Sequence, residues 1–122
     1  MRNYKNIKAY QLAEELVLEI YKVTKTFPKE ELYGLTSQLR RAAVSVPANI
    51  AEGASRNHQR DYLQFLYVSR GSLAEVECLL QLMCKLGYLE EKNYRQIEGQ
   101  RDESAKTLFG LIRAVESEVK GL

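Results

Sequence analysis

The 122 residues fit the size of one compact domain, so a single domain over residues 1–122 is expected. A hydrophobic share of 45% and a charged share of 28% exclude a disordered chain, and 18 Lys and Arg against 16 Asp and Glu, net +2, argue against a nucleic-acid binder working by bulk charge alone. Cys78 and Cys84, the only cysteines, are read as reduced, packed thiols. No apolar run reaches membrane-spanning length, so a cytoplasmic, unanchored protein is expected.

Apolar residues at Ala9, Leu12, Leu16, Ile20, Val23 and Phe27 step by three and four, which predicts a first helix that Pro28 stops. Leu35, Leu39, Ala42, Val46 and Ile50 predict a second helix over residues 35–52, with Gly53 as a left-handed C-terminal cap. Asn57 is the expected cap of a third helix, which has Asp61 in its first turn. Tyr62, Leu66, Ser69, Leu73, Val76, Leu80 and Met83 form its buried stripe before Gly87. The fourth helix, residues 91–120, carries Tyr94, Ile97, Ala105, Leu108, Ile112, Val115 and Val119, and Gly99 and Arg101 weaken its first half. No segment alternates with a period of two, and the linkers are short. The expectation is an all-α, antiparallel up-down-up-down four-helix bundle.

The second helix is apolar on more than its core side. Gln38, Arg41, Ser45, Asn49, Glu52 and Arg56 share a narrow polar stripe, yet the remaining arc carries Val44, Pro47, Ala48 and Ala51. A second covered face implies a neighbouring subunit or an unusual contact within the chain, and small side chains let another backbone approach closely. The expected oligomer interface is Arg41, Val44, Ser45, Pro47, Ala48, Asn49, Ala51 and Glu52. Pro47 removes a hydrogen bond to the Ala43 carbonyl at a cost of about 3 kcal/mol, which either a kink around the core or an outside donor to that carbonyl would account for. Gly71, with Ser69 and Ser72 beside it, suggests close approach of the third helix to the second.

The run Gln38-Leu39-Arg40-Arg41-Ala42-Ala43-Val44-Ser45-Val46-Pro47-Ala48-Asn49-Ile50-Ala51-Glu52-Gly53, with Phe65-Leu66 and Gly71-Ser72-Leu73-Ala74-Glu75, closely resembles the four helix bundle family of proteins encoded in intervening sequences of 23S ribosomal RNA. Tyr21, Thr24 and Phe27-Pro28 fit as well. The resemblance implies a bundle assembling into a ring-like homo-oligomer, a pentamer, as in the similar accessory proteins of diversity-generating retroelements. It implies no reaction. The genetic setting of some members suggests a link to RNA or ribonucleoprotein. Carried over by residue, Arg40, Arg41, Ser45, Pro47, Asn49, Glu52, Ser72 and Glu75 are the motif's polar or conformationally special positions, suited to a buried polar network at an interface.

Two functions follow. In the first, a homo-oligomeric module holds RNA or a ribonucleoprotein partner through Lys22, Lys25, Lys29, Arg41, Arg56 and Arg60, since phosphate contacts need cations repeated over a surface. In the second, a ring scaffold presents one protein-binding surface several times, with no nucleic-acid role. Against the first stands the habit of arginines to pair with carboxylates such as Glu52. An enzyme is not expected. His58, the single histidine, can be drawn near Ser55 and Asp61 as a triad, but helix capping and first-turn chemistry explain the three more simply. No cofactor or metal is expected, because no ligand spacing or phosphate loop stands out.

Overall fold

A computed structural model describes residues 2–121. Four helices, α1 (Lys8–Thr24), α2 (Leu35–Ala54), α3 (Gln59–Lys85) and α4 (Glu91–Lys120), are joined by short turns, with 3-10 turns at Tyr4–Asn6 and Lys29–Glu31. The described residues contain no strand. Each helix packs on two others: α1 and α3 both lie against α2 and α4. The core between them is built from Leu16 and Ile20 of α1, Leu39, Val46 and Ile50 of α2, Leu66, Leu73 and Met83 of α3, and Ile97, Leu108 and Ile112 of α4. Their spacings within each helix are sums of three- and four-residue steps, which turn one helix face inward.

α1 ends three residues before the last member of its apolar stripe. A residue preceding proline avoids helical backbone, so Phe27 leaves the helix. Thr24 closes α1 by turning its hydroxyl back to the Ile20 carbonyl at 2.8 Å, and the Phe27 ring is still buried. α2 starts at Gly34, which has no side chain to cap it; instead Glu31 Oε1 accepts from the Leu35 N–H at 3.3 Å. The other oxygen of Glu31 accepts from the Tyr88 hydroxyl at 3.0 Å and ties this turn to the one after α3. α3 stops at Gly87, whose φ of 82° is the left-handed geometry that glycine adopts most easily, and the Tyr88 and Leu89 N–H groups fold back on the Met83 carbonyl.

Three glycine and cap expectations need correcting. Gly53 is not a left-handed cap: it lies inside α2, buried, and Ser55 follows the helix end in right-handed geometry. Its role is approach. A Cβ at Gly53 would stand 2.8 Å from Phe65 Cβ and 2.9 Å from Tyr62 Cδ1, so only glycine lets α3 come this near. Gly71 mediates no such approach, since a Cβ there would meet nothing within 4 Å. His58 rather than Asn57 precedes α3, and its side chain makes no capping bond.

The doubt over the first half of α4 is also resolved. Arg101 is 7% exposed and helical, held by Glu98 on its own helix at 2.7 Å and by Glu77 of α3 at 3.2 Å. The hydrogen bonds that the guanidinium donates to Glu98 raise its pKa above the ordinary value, against the opposing effect of burial. A buried cation with carboxylates on two helices is a specific α3–α4 junction, not a flaw in the helix.

Candidate functional site

The region singled out by sequence is the face of α2 and its border with α3. Along that border runs a chain of small polar groups. The Ser72 hydroxyl donates to Ser45 Oγ at 2.8 Å, and Asn49 Nδ2 donates to the Ser45 carbonyl at 2.8 Å and to Ser45 Oγ at 3.0 Å. One turn away, Ser69, fully buried, donates to the Val46 carbonyl at 2.8 Å. An α3 hydroxyl thus anchors α2 at the peptide just before Pro47, where the helix lacks a backbone donor. Ser45 and Asn49 have their hydrogen-bonding partners within the chain.

The outer arc of α2 is only partly covered by its own chain. Val44 is 41% exposed, Ala48 is exposed, and Pro47 and Ala51 are half-buried. Arg41 and Glu52 flank them. Arg41 is exposed and makes no ion pair or side-chain hydrogen bond among the described residues, whereas Glu52 Oε1 takes Arg56 at 3.0 Å. Beside this arc, Arg41 lines a groove of about 470 Å³ with Tyr33, Gln38, Ser45, Ser72 and Glu75. Tyr33, on the rim, is 94% exposed. Its position in the turn before α2 gave no periodic signal by which sequence reading could have found it.

On the α1 side of the same helix sits Arg40. Its Nε donates to Thr24 Oγ1 at 2.9 Å, and its guanidinium lies 4.6 Å from the Tyr21 ring centre. Arg40 therefore serves the α1–α2 contact, while the adjacent Arg41 looks outward. The two neighbouring arginines of the motif have separate environments because 100° of helix turn lies between them.

The six cations expected to contact nucleic acid do not form one patch in the single chain. Lys22 and Lys25 close α1 and Lys29 lies in the following turn, all exposed. Arg56 and Arg60 flank the α2–α3 turn, and Arg41 lies about 20 Å of helix rise before the end of α2. Arg56 is also stacked on Phe65, 4.7 Å from the ring centre, and Arg60 is exposed without an ion partner among the described residues. A seventh cation, Arg2, joins Arg56 there and was missed in sequence because nothing periodic marks it: it lines a cavity of about 500 Å³ with Arg56, Asn57, Gln59 and Glu118.

His58 is exposed; both cysteines are unbonded, but against the expectation of packed thiols Cys78 is exposed and only Cys84 is half-buried. Among the described residues, no group of three His, Cys, Asp or Glu side chains is placed to hold a metal ion, and no helix is long and apolar enough to cross a membrane.

Comparison with known proteins gives this geometry a setting. A solved structure from Bacteroides thetaiotaomicron VPI-5482, a protein of unknown function from the S23 ribosomal protein family, superposes with a TM-score of 0.80 at 23% identity, covering 86% of this chain and 95% of that one. At that identity the likeness speaks for the four-helix fold. No curated protein matches the chain. The profile of the 23S rRNA-intervening sequence protein family matches residues 5–110, a span that holds the α2 motif, the α2–α3 seam and the buried Arg101 junction, and the chain belongs to that family.

Proposed function

We propose that this protein is a non-enzymatic, self-assembling module of one domain, whose copies meet across the outer arc of α2 and close into a ring, a pentamer. The observation that carries this reading is the strip of exposed Val44 and Ala48 and half-buried Pro47 and Ala51 beside Arg41, which makes no ion pair among the described residues. Apolar small residues on an outward helix face gain only when another surface removes them from water, about 25 cal/mol for each Å². The antiparallel up-down-up-down arrangement is supported by the pairing of chain positions: Thr24 with Arg40, Val46 with Ser69, Glu77 with Arg101 and Tyr67 with Glu116. Between α3 and α4, Tyr67 and Glu116 both lie further from the connecting turn than Glu77 and Arg101, as antiparallel neighbours require.

Within the ring, repetition supplies what one chain lacks. Lys22, Lys25 and Lys29 at one place and Arg56 and Arg60 at another become repeated cations, and the family's connection by name with 23S rRNA favours RNA or a ribonucleoprotein in the cytoplasm as the partner. The second reading is a protein-binding scaffold without nucleic acid, favoured by the dispersal of the cations and by the Arg56–Glu52 pair. Fluorescence anisotropy with a labelled 23S rRNA fragment separates the two. Reversing Lys25 and Arg60 to Glu is expected to leave the assembly intact and weaken binding at least tenfold. Unchanged affinity would remove these residues from the contact, and no binding by the parent protein would leave the scaffold.

A further inference from the structure

The first turn of chain before α1 is bound at both of its ends. On the α1 side, the Tyr4 ring meets Tyr10 edge-on at 4.8 Å between centres, and Gln11 Nε2 donates to the Lys5 carbonyl at 2.9 Å. Asn3 Oδ1 accepts from the Lys5 N–H at 3.1 Å and shapes the 3-10 turn between them. On the other side Arg2 reaches across to a different helix pair: its Nη1 donates to the Arg56 carbonyl at 2.9 Å and to the Ala54 carbonyl at 3.3 Å. Its guanidinium lies 4.3 Å from the centre of the Tyr62 ring at the start of α3.

The Ala54 carbonyl is the last of α2 and the Arg56 carbonyl lies two residues on, in the turn; the helix terminus itself has no left-handed glycine and no basic residue in its own last turn. The final carbonyls of a helix lack intrahelical donors and carry partial negative charge, so a cation brought to them from elsewhere in the chain can replace the missing cap. We infer that residues 2–7 form a strap, fastened by Arg2, that caps α2 from outside and holds the α2–α3 turn in place against Tyr62. The turn so held carries Arg56, Asn57, His58 and Arg60, which makes Arg2 the positioning residue for that end of the molecule. The inference stands on these contacts and is independent of the assembly and RNA readings.

Hydrogen exchange on the full chain tests it, because the Ser55 and Arg56 amides are bonded to the Glu52 and Gly53 carbonyls and report directly on the last turn of α2. In Arg2→Ala, exchange at Ser55 and Arg56 is expected to quicken about tenfold while amides in the middle of α3 keep their protection. Arg2→Lys, which retains the charge and one donor but loses the planar fork and the ring stack, should fall between the two. Unchanged exchange at Ser55 and Arg56 in Arg2→Ala would overturn the strap. A uniform rise along α3 would do so too, since it would mean that Arg2 supports global stability and not the turn.

Discussion

A single hydrogen atom at position 53 governs how closely two helices meet. Replacing Gly53 by Ala adds a Cβ within 3 Å of Phe65 Cβ and Tyr62 Cδ1, and neither atom is the flexible end of a side chain. The better helix propensity of alanine returns up to about 1 kcal/mol, but overpacking in a tight core costs about 1–3 kcal/mol. Gly53→Ala should therefore lower stability in urea unfolding, whereas Gly71→Ala, in open space, should raise it by a few tenths of a kcal/mol or more. The opposite outcome at the two sites would reverse the assignment of which glycine serves packing. Sequence alone placed the glycines on the wrong roles, because helix ends and close approaches both favour glycine, and only the position of Phe65 and Tyr62 on the neighbouring helix distinguishes them. Ser69 was placed correctly on the buried stripe of α3, but its partner, the Val46 carbonyl, lies 23 residues away and leaves no local signature. Ser69→Ala should cost about 1 kcal/mol, measured in the same way.

Between elements, the contacts that fix the bundle are few and polar. Arg101 bridges α4 to Glu77 of α3 while buried, whereas Glu98 and Glu77 keep 24% and 44% of their side chains exposed, so water takes up part of their charge when the guanidinium is removed. Arg101→Ala should destabilise by about 1–3 kcal/mol in urea unfolding through the lost charge-assisted bonds and packing, and an unchanged stability would contradict a role for this junction. The α4 stripe was legible from Leu108 onward, where spacing is regular. Arg101 read as an interruption because a lone basic residue on an apolar face shows no sign in sequence of the carboxylate that another helix will bring to it.

Two phenol–carboxylate bonds join elements in the same way. Tyr67 donates to Glu116 at 2.6 Å across α3 and α4, and Tyr88 donates to Glu31 at 3.0 Å. In each case the hydrogen bond to the carboxylate, followed by desolvation and repulsion from its charge, raises the phenol pKa. A phenol that keeps its proton longer in the folded chain contributes stability below its unfolded pKa of about 10 and loses that contribution as pH rises through the raised folded value. Stability should thus be insensitive to these groups at neutral pH and decline above about pH 10. Tyr67→Phe combined with Tyr88→Phe should flatten that alkaline decline in unfolding scans, and an identical decline would assign it to other groups.

At the scale of the whole molecule, the four helices and their core were legible from period and turn chemistry, and the motif in α2 identified the family. The site was legible only in outline. Gln38, Arg41, Ser45, Asn49, Glu52 and Arg56 fall on one stripe in a wheel, yet the structure gives Ser45 and Asn49 to the seam with α3 and Arg41 to solvent, while Arg40, off that stripe, serves α1. A wheel gives direction but not the placement of neighbours, and residues 100° apart on one helix meet different partners. Of the arc expected to be an interface, Val44 and Ala48 are exposed and Pro47 and Ala51 half-buried, and its role in assembly is a proposal. Light scattering coupled to size-exclusion chromatography, run on the parent protein and on Ala48→Arg, tests this strip most directly. The account predicts a pentamer-sized parent built from the 14.0 kDa chain and a folded Ala48→Arg variant at or near the mass of a single chain. A parent protein that elutes as a monomer at micromolar concentration, or an Ala48→Arg variant that assembles as the parent does, would contradict it.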